Sequence, residues 1–183
     1  MLRYFFKKIA ISNSGFTLIE LLISIFIIGL ISGVFMVNYH NTNKRSELNV
    51  EKQKLVSSIR LAQNYSLGSK AYDDDGNTPR GGWGLHFSLS DPTRYIIFAD
   101  KDAPNGNQSY DDGEAIEIKT LPAGVTIDSL SPANTVDIVF FPPDPITYIN
   151  GLYDASAQIT LKENINNSTA IVTVNSFGLI DTE

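Results

Sequence analysis

The feature that most narrows how this chain can fold is the run from Phe16 to Val37. Every residue in it except Thr17, Glu20, Ser24, Gly29, Ser32 and Gly33 is a large hydrophobe. As a helix rising 1.5 Å per residue, the run spans about 33 Å, enough to cross the hydrocarbon core of a bilayer. It carries one charge, Glu20, near its start. A carboxylate at the centre of a lipid-facing helix costs about 2.5 to 3.5 kcal/mol on insertion scales, so Glu20 calls for a partner.

Arg3, Lys7 and Lys8 precede the run. Positive flanks are held in the cytoplasm, which predicts residues 1 to about 15 inside and the C-terminal mass outside, with Lys44 and Arg45 a mild contrary signal. A cleaved secretory signal would end in a small-x-small site, whereas "VFMVNYHNTNKRSEL" flows into a helical pattern, so the segment is expected to be retained. Beyond the apolar run the chain has the means to bury a core: its 183 residues are 43% hydrophobic, 19% charged and 10% aromatic, which predicts one folded head. The formal charge is -6, and it becomes -9 once the three leading basic residues are set aside, which disfavours nucleic acid as the head's partner. There is no cysteine, which excludes disulfides, thiolate zinc sites and cysteine nucleophiles.

The stretch "SGFTLIELL" places F, T, L, x and E after a glycine. It resembles the processing site of bacterial type IV prepilins and type II secretion pseudopilins. The resemblance implies that residues 1–15, "MLRYFFKKIAISNSG", are a leader removed by a membrane-embedded prepilin peptidase. Cleavage would fall between Gly15 and Phe16, followed by methylation of the Phe16 amine. It implies a single-pass protein of the bacterial cytoplasmic (inner) membrane with a cytoplasmic N-terminus and an extracytoplasmic head, later drawn into a periplasmic or extracellular filament. Its partners would be other pilin or pseudopilin subunits, the peptidase, an inner-membrane assembly platform, and lipid before assembly. Residues 16–39 would cross the membrane and then form the filament core, with Thr17 and Glu20 as assembly residues. Glu20 would face the N-terminal amine of an adjacent subunit, each charge offsetting the other's desolvation and fixing axial register. Two alternatives stay open: Glu20 snorkels to the interface, or the segment is a plain signal anchor with a chance acid.

Residues 40–70 continue the helix. Leu48, Leu55, Ile59, Ala62 and Tyr65 recur at seven, four, three and three, an amphipathic stripe of the kind that packs on a core. "IRLAQNYSLGSKA" resembles the helix end of the H-type pseudopilin and FimT-like minor pilin group. Over residues 71–183 the pattern shortens to β-branched or aromatic runs: "WGLHFSL", "TRYIIFAD", "AIEIKTL", "GVTIDSL", "VDIVFF", "AQITLKE" and "TAIVTVNS". Turn residues separate them. The closing "TAIVTVNSFGLIDTE" is similar to that group's final hairpin, in which a glycine precedes a short apolar strand. The expected fold class is α+β and pilin-like: one long N-terminal helix, its first half membrane-spanning, packed on an antiparallel head of about seven strands in one or two sheets.

The richest polar cluster, "ADKDAPNGNQSYDDGEAIE", supplies Asp100, Asp102, Asn105, Asn107, Asp111, Asp112 and Glu114 as oxygen donors around Gly106 and Gly113. Calcium takes six to eight such oxygens on a flexible loop; the bland reading is a solvated turn-rich loop. The spacing departs from an EF-hand, and no other cofactor is expected. His40 and His86 have no serine or acid arranged around them in sequence, so no enzyme is expected. Trp83, Phe87, Tyr95, Phe98, Phe140 and Phe141 are expected to face the core or a cross-strand neighbour, with a ligand platform as the alternative. The sequence thus reads as a minor pseudopilin or minor pilin. The alternatives are a major pilin, or a membrane-anchored module binding carbohydrate or a secreted protein.

Overall fold

A computed structural model describes residues 15–102, 104–142, 146–153 and 155–183, without the side chains of 37–43. Apart from Gly15, the expected leader lies outside the described residues, as does the side chain of His40. The chain divides into two compact units, residues 1–40 and 41–183, and helix α1, Leu18–Leu67, contributes to both. In the first unit α1 presents Leu18–Met36, a 19-residue stretch of mean hydropathy 2.6, long and apolar enough to cross a membrane and with none of it buried.

In the second unit the apolar stripe does what its spacing predicts. Leu48, Leu55, Ile59 and Ala62 are buried in the core, and each large aliphatic side chain so buried contributes about 1.5 to 3 kcal/mol. Tyr65 is half-buried, its ring meeting Trp83 edge-on at 5.0 Å. Polar groups along the same seam are satisfied across it, which fixes the rotation of the helix. The Ser58 and Tyr95 hydroxyls lie 2.9 Å apart, Ser66 donates to the Phe140 carbonyl, and Gln63 Nε2 donates to the Gly178 carbonyl at 2.6 Å.

Nine strands come after α1 among the described residues: β1 Gly82–Ser88, β2 Arg94–Asp100, β3 Ala115–Thr120, β4 Val125–Ser131, β5 Thr135–Phe141, β6 Ile146–Ile149, β7 Ser156–Glu163, β8 Ser168–Asn175 and β9 Ile180–Thr182. They form two antiparallel sheets, ordered β3-β2-β1-β5-β6 and β4-β7-β8-β9. The seven expected runs became β1 to β5, β7 and β8. β9 is the short strand after Gly178. β6 was not expected, because four residues carry too little periodicity to read. Alternation sets which side faces the core: Leu85 and Phe87 from β1, Ile159 and Leu161 from β7, and Val172 and Val174 from β8.

The C-terminus of α1 closes with a Schellman motif. Lys70 N–H donates to the Tyr65 carbonyl at 2.9 Å and Ser69 N–H to the Ser66 carbonyl at 3.0 Å. The residue in the left-handed position is Ser69, at φ 45°, and not the neighbouring Gly68. A Cβ there is strained, and glycine at this position relieves it. Ser69→Gly is therefore expected to stabilise the head by about 0.5 to 1 kcal/mol, read as a rise in thermal midpoint of the full chain in detergent. A loss of stability would contradict the motif.

Candidate functional site

Two places carry chemistry. The first is the start of α1. Thr17 sits at the N-cap and Glu20 three residues on, and together they form a capping box. Glu20 N–H donates to Thr17 Oγ1 at 3.3 Å, and Thr17 N–H donates to Glu20 Oε2 at 3.2 Å. The Thr17 hydroxyl also donates to Oε2 at 3.0 Å. Two of the backbone donors that any helix leaves unpaired at its start are thus satisfied. Glu20 Oε1 has no hydrogen bond among the described residues. The acid sits at the helix's positive end, where a negative charge is favoured.

The second is the loop between β2 and β3, folded over the outer side of the five-stranded sheet. Its buried acids accept hydrogen bonds from its own backbone. Asp100 Oδ2 accepts from Gln108 N–H at 2.7 Å and Oδ1 from Asp102 N–H at 3.3 Å. Glu114 Oε1 accepts from Lys101 N–H at 2.7 Å and Oε2 from Asp111 N–H at 3.0 Å. Gly81 and Gly106 make this possible: a Cβ at either would come within 1.9 and 2.5 Å respectively of Asp100 Oδ2. Burial raises the pKa of both Asp100 and Glu114, against the pull of these backbone donors.

Of the seven expected oxygen donors, the structure brings the carboxylates of Asp100, Asp102 and Glu114 together, with ligand atoms within 4.8 Å of one another. Asn107 Nδ2 instead donates to Asp111 Oδ2 at 2.5 Å, and the Asn105 carbonyl accepts from Gln108 Nε2. Asp112 lines a separate hollow with His86 and Tyr110. The three converging residues would offer a calcium ion part of the six to eight oxygens it takes. What they visibly do is close the loop on its own backbone.

His86 differs from expectation. It lies on β1, and its Nδ1 is 2.6 Å from Oδ1 of the buried Asp137 on β5, across the pair His86↔Asp137. Asp137 Oδ2 accepts from Ser109 Oγ at 2.7 Å and from Tyr110 N–H at 3.2 Å. The serine hydroxyl points at the acid and not at the imidazole, so this is a tether for the loop, with Tyr110 packed on the rings of His86 and Phe98. Sequence reasoning missed it because the partners are 51 and 28 residues apart. The aromatic platform does not form from the residues considered for it: Trp83, Phe87, Tyr95, Phe98 and Phe140 are buried, and only Phe141 is half-exposed.

Comparison with known proteins bears on the first place. Residues 12–36 match the prokaryotic N-terminal methylation motif. No curated protein sequence matches the chain. Among solved structures, the minor pseudopilin EpsH from the type 2 secretion system of Vibrio cholerae aligns over 75% of this chain and 96% of its own, at 13% identity and a TM-score of 0.44.

The raised acids of the loop give a signed pH effect. An acid whose pKa is higher folded than unfolded binds more protons in the folded state, so its contribution falls as pH rises through that interval. Asp100→Asn removes this charge at a fixed cost in hydrogen bonding. Between about pH 4 and 7, thermal midpoints of the full chain in detergent should therefore shift in the variant's favour, relative to wild type, as pH rises. A difference that is flat, or that grows against the variant, would contradict the burial argument.

Proposed function

We propose that this chain is a structural subunit, a minor pseudopilin or minor pilin, of a type IV pilus-like or type II secretion filament. The observation that carries the reading is the methylation motif over residues 12–36, with Thr17 and Glu20 set at the start of an uncovered apolar helix. A prepilin peptidase cuts between Gly15 and Phe16, and the new amine on Phe16 is methylated. Residues 16–39 hold the subunit in the cytoplasmic membrane, head outward, until an inner-membrane platform hands it to neighbouring subunits. It works by assembly and not by catalysis.

The geometry supports a division of labour at Glu20. Oε2 is engaged by its own first turn, and Oε1 is left for an outside donor, the N-terminal amine of a neighbour. Burying either charge alone is costly, and pairing them selects the register in which both are satisfied. Gly29 and Gly33 lie one turn apart with no atom within 4 Å of a built Cβ, which permits a neighbouring helix to approach closely.

The test is intact-mass and N-terminal analysis of protein taken from membranes with and without a prepilin peptidase, for wild type and Gly15→Ala. The mature chain is expected to begin at methylated Phe16 only with the peptidase present and only in wild type. A chain that still begins at Met1 beside an active peptidase overturns the reading.

A further inference from the structure

Four strands lie at sheet edges, β3 and β6 in one sheet and β4 and β9 in the other. Three of these edges are short or already taken. β6 is four residues long, and its Thr147 and Ile149 N–H groups donate to the Ser176 and Leu152 carbonyls at 3.2 and 3.0 Å. β4 is bulged between Ile127 and Ser129, and Ile127 N–H donates to the Pro92 carbonyl at 2.8 Å. β9 is three residues long. β3 differs: it has six residues, all exposed or half-exposed, and β2 is its single strand partner among the described residues.

Hydrogen-bond parity identifies what β3 leaves open. Leu121 N–H donates to the Thr93 carbonyl at 2.8 Å, in the register that sets Lys119 opposite Tyr95 and Glu117 opposite Ile97. Residues of an antiparallel strand alternate between bonding their partner and facing away from it. Ile118 and Thr120 therefore turn both N–H and C=O to the open side, where no backbone group among the described residues meets them. The bulge in the β2–β3 pairing falls at the Ala115 end and leaves residues 117–120 in regular register. The two sides of the strand differ. Lys119 borders a hollow of about 430 Å³ beside α1 with Ser57, Ser58 and Tyr95, and Glu117 lies on the same side and pairs with it. The hollow's other lysine, Lys54, is paired with Glu51, so the hollow selects no charged occupant. Ile116 and Ile118 face the other way, 41% and 50% exposed.

We propose that the open edge of β3 accepts an extended segment of a different subunit, which adds a strand to the five-stranded sheet. This rests on the filament reading above. Backbone donors and acceptors left unpaired at strand spacing are matched by another extended chain, which supplies the reciprocal set. The incoming side chains alternate as well: apolar ones lie beside Ile116 and Ile118, and small uncharged ones enter the hollow at Ser57 and Ser58. A second copy of this chain fits less well. Its other edges are short or taken, so β3 could meet only β3, and that self-complementary pairing closes into a dimer that does not propagate. A minor subunit has non-identical neighbours, and one of them supplies the strand.

Ile118→Pro tests the edge. Proline removes the outward N–H and is tolerated in edge strands where that group faces solvent, so the ladder to β2 is kept. Ile118→Thr keeps the N–H and the β-branch and loses the apolar side chain. Both full chains are expressed with the prepilin peptidase and the other subunits, and mature protein is scored in sheared filaments. Ile118→Pro should enter filaments about tenfold less than wild type and Ile118→Thr about as well as wild type, with thermal midpoints in detergent showing both heads folded. In wild type, amide exchange over β3, read by mass spectrometry, should be about tenfold slower in filaments than in detergent, which decides the matter even where the proline variant does not fold. A folded Ile118→Pro at wild-type incorporation, an Ile118→Thr lost as fully as Ile118→Pro, or β3 amides that exchange equally fast in both states overturns the strand contact and leaves the filament reading standing. A dimer in detergent that Ile118→Pro dissolves makes a second copy the occupant and overturns the proposal as well. Mature wild-type protein absent from filaments overturns both.

Discussion

Everything in this molecule depends on the apolar surface of Leu18–Met36, none of which is buried among the described residues. Exposed hydrocarbon costs roughly 25 cal/mol per Å² in water, so this helix exists either in lipid or among other helices. Both environments satisfy the aliphatic side chains equally well. They differ at Glu20, the one charge in the stretch. The capping box satisfies two of the first turn's backbone donors within the chain itself and engages Oε2, leaving Oε1 without a hydrogen bond among the described residues. In the proposed filament, a neighbouring amine would satisfy it.

The second half of the same helix solves a different problem. Leu48, Leu55, Ile59 and Ala62 turn one side into the head's core, and the hydroxyl and amide contacts of Ser58, Gln63 and Ser66 lock its rotation against β2, the β8–β9 turn and β5. That rotation decides which residues of α1 are left outward. The β2–β3 loop is held as firmly by another route. Asp100, Glu114 and Asp137 draw its backbone onto the sheet, so the loop's acids that remain exposed, Asp111 and Asp112, are held in fixed places.

How much of this was legible depended on whether the signal was local. The methylation motif is contiguous, and the stripe of α1 repeats at helical spacing, so both could be read from residue order. β6 could not, since Ile146–Ile149 is only four residues long. Nor could the tie from His86 to Asp137, whose partners meet only because β1 pairs with β5. The acidic loop was legible as a cluster but not as a structure. Nothing in residue order distinguishes a carboxylate that would bind a cation from one that accepts a backbone N–H, because both need an acid beside a flexible turn. Gly81 and Gly106 lie on either side of Asp100 and make room for its carboxylate only in the folded chain.

Filament assembly by Glu20→Gln, scored in protein already shown by mass to begin at methylated Phe16, decides whether the carboxylate pairs across subunits. Glutamine at the third helical position still closes a capping box, so the helix start is kept and only the charge is lost. Breaking a buried ion pair by removing one partner costs about 3 to 5 kcal/mol, so assembled subunit should fall by at least a hundredfold while maturation stays at the wild-type level. Filaments of Glu20→Gln at wild-type yield would show that the carboxylate does not pair with a neighbour, and would return Glu20 to a residue that merely caps its own helix.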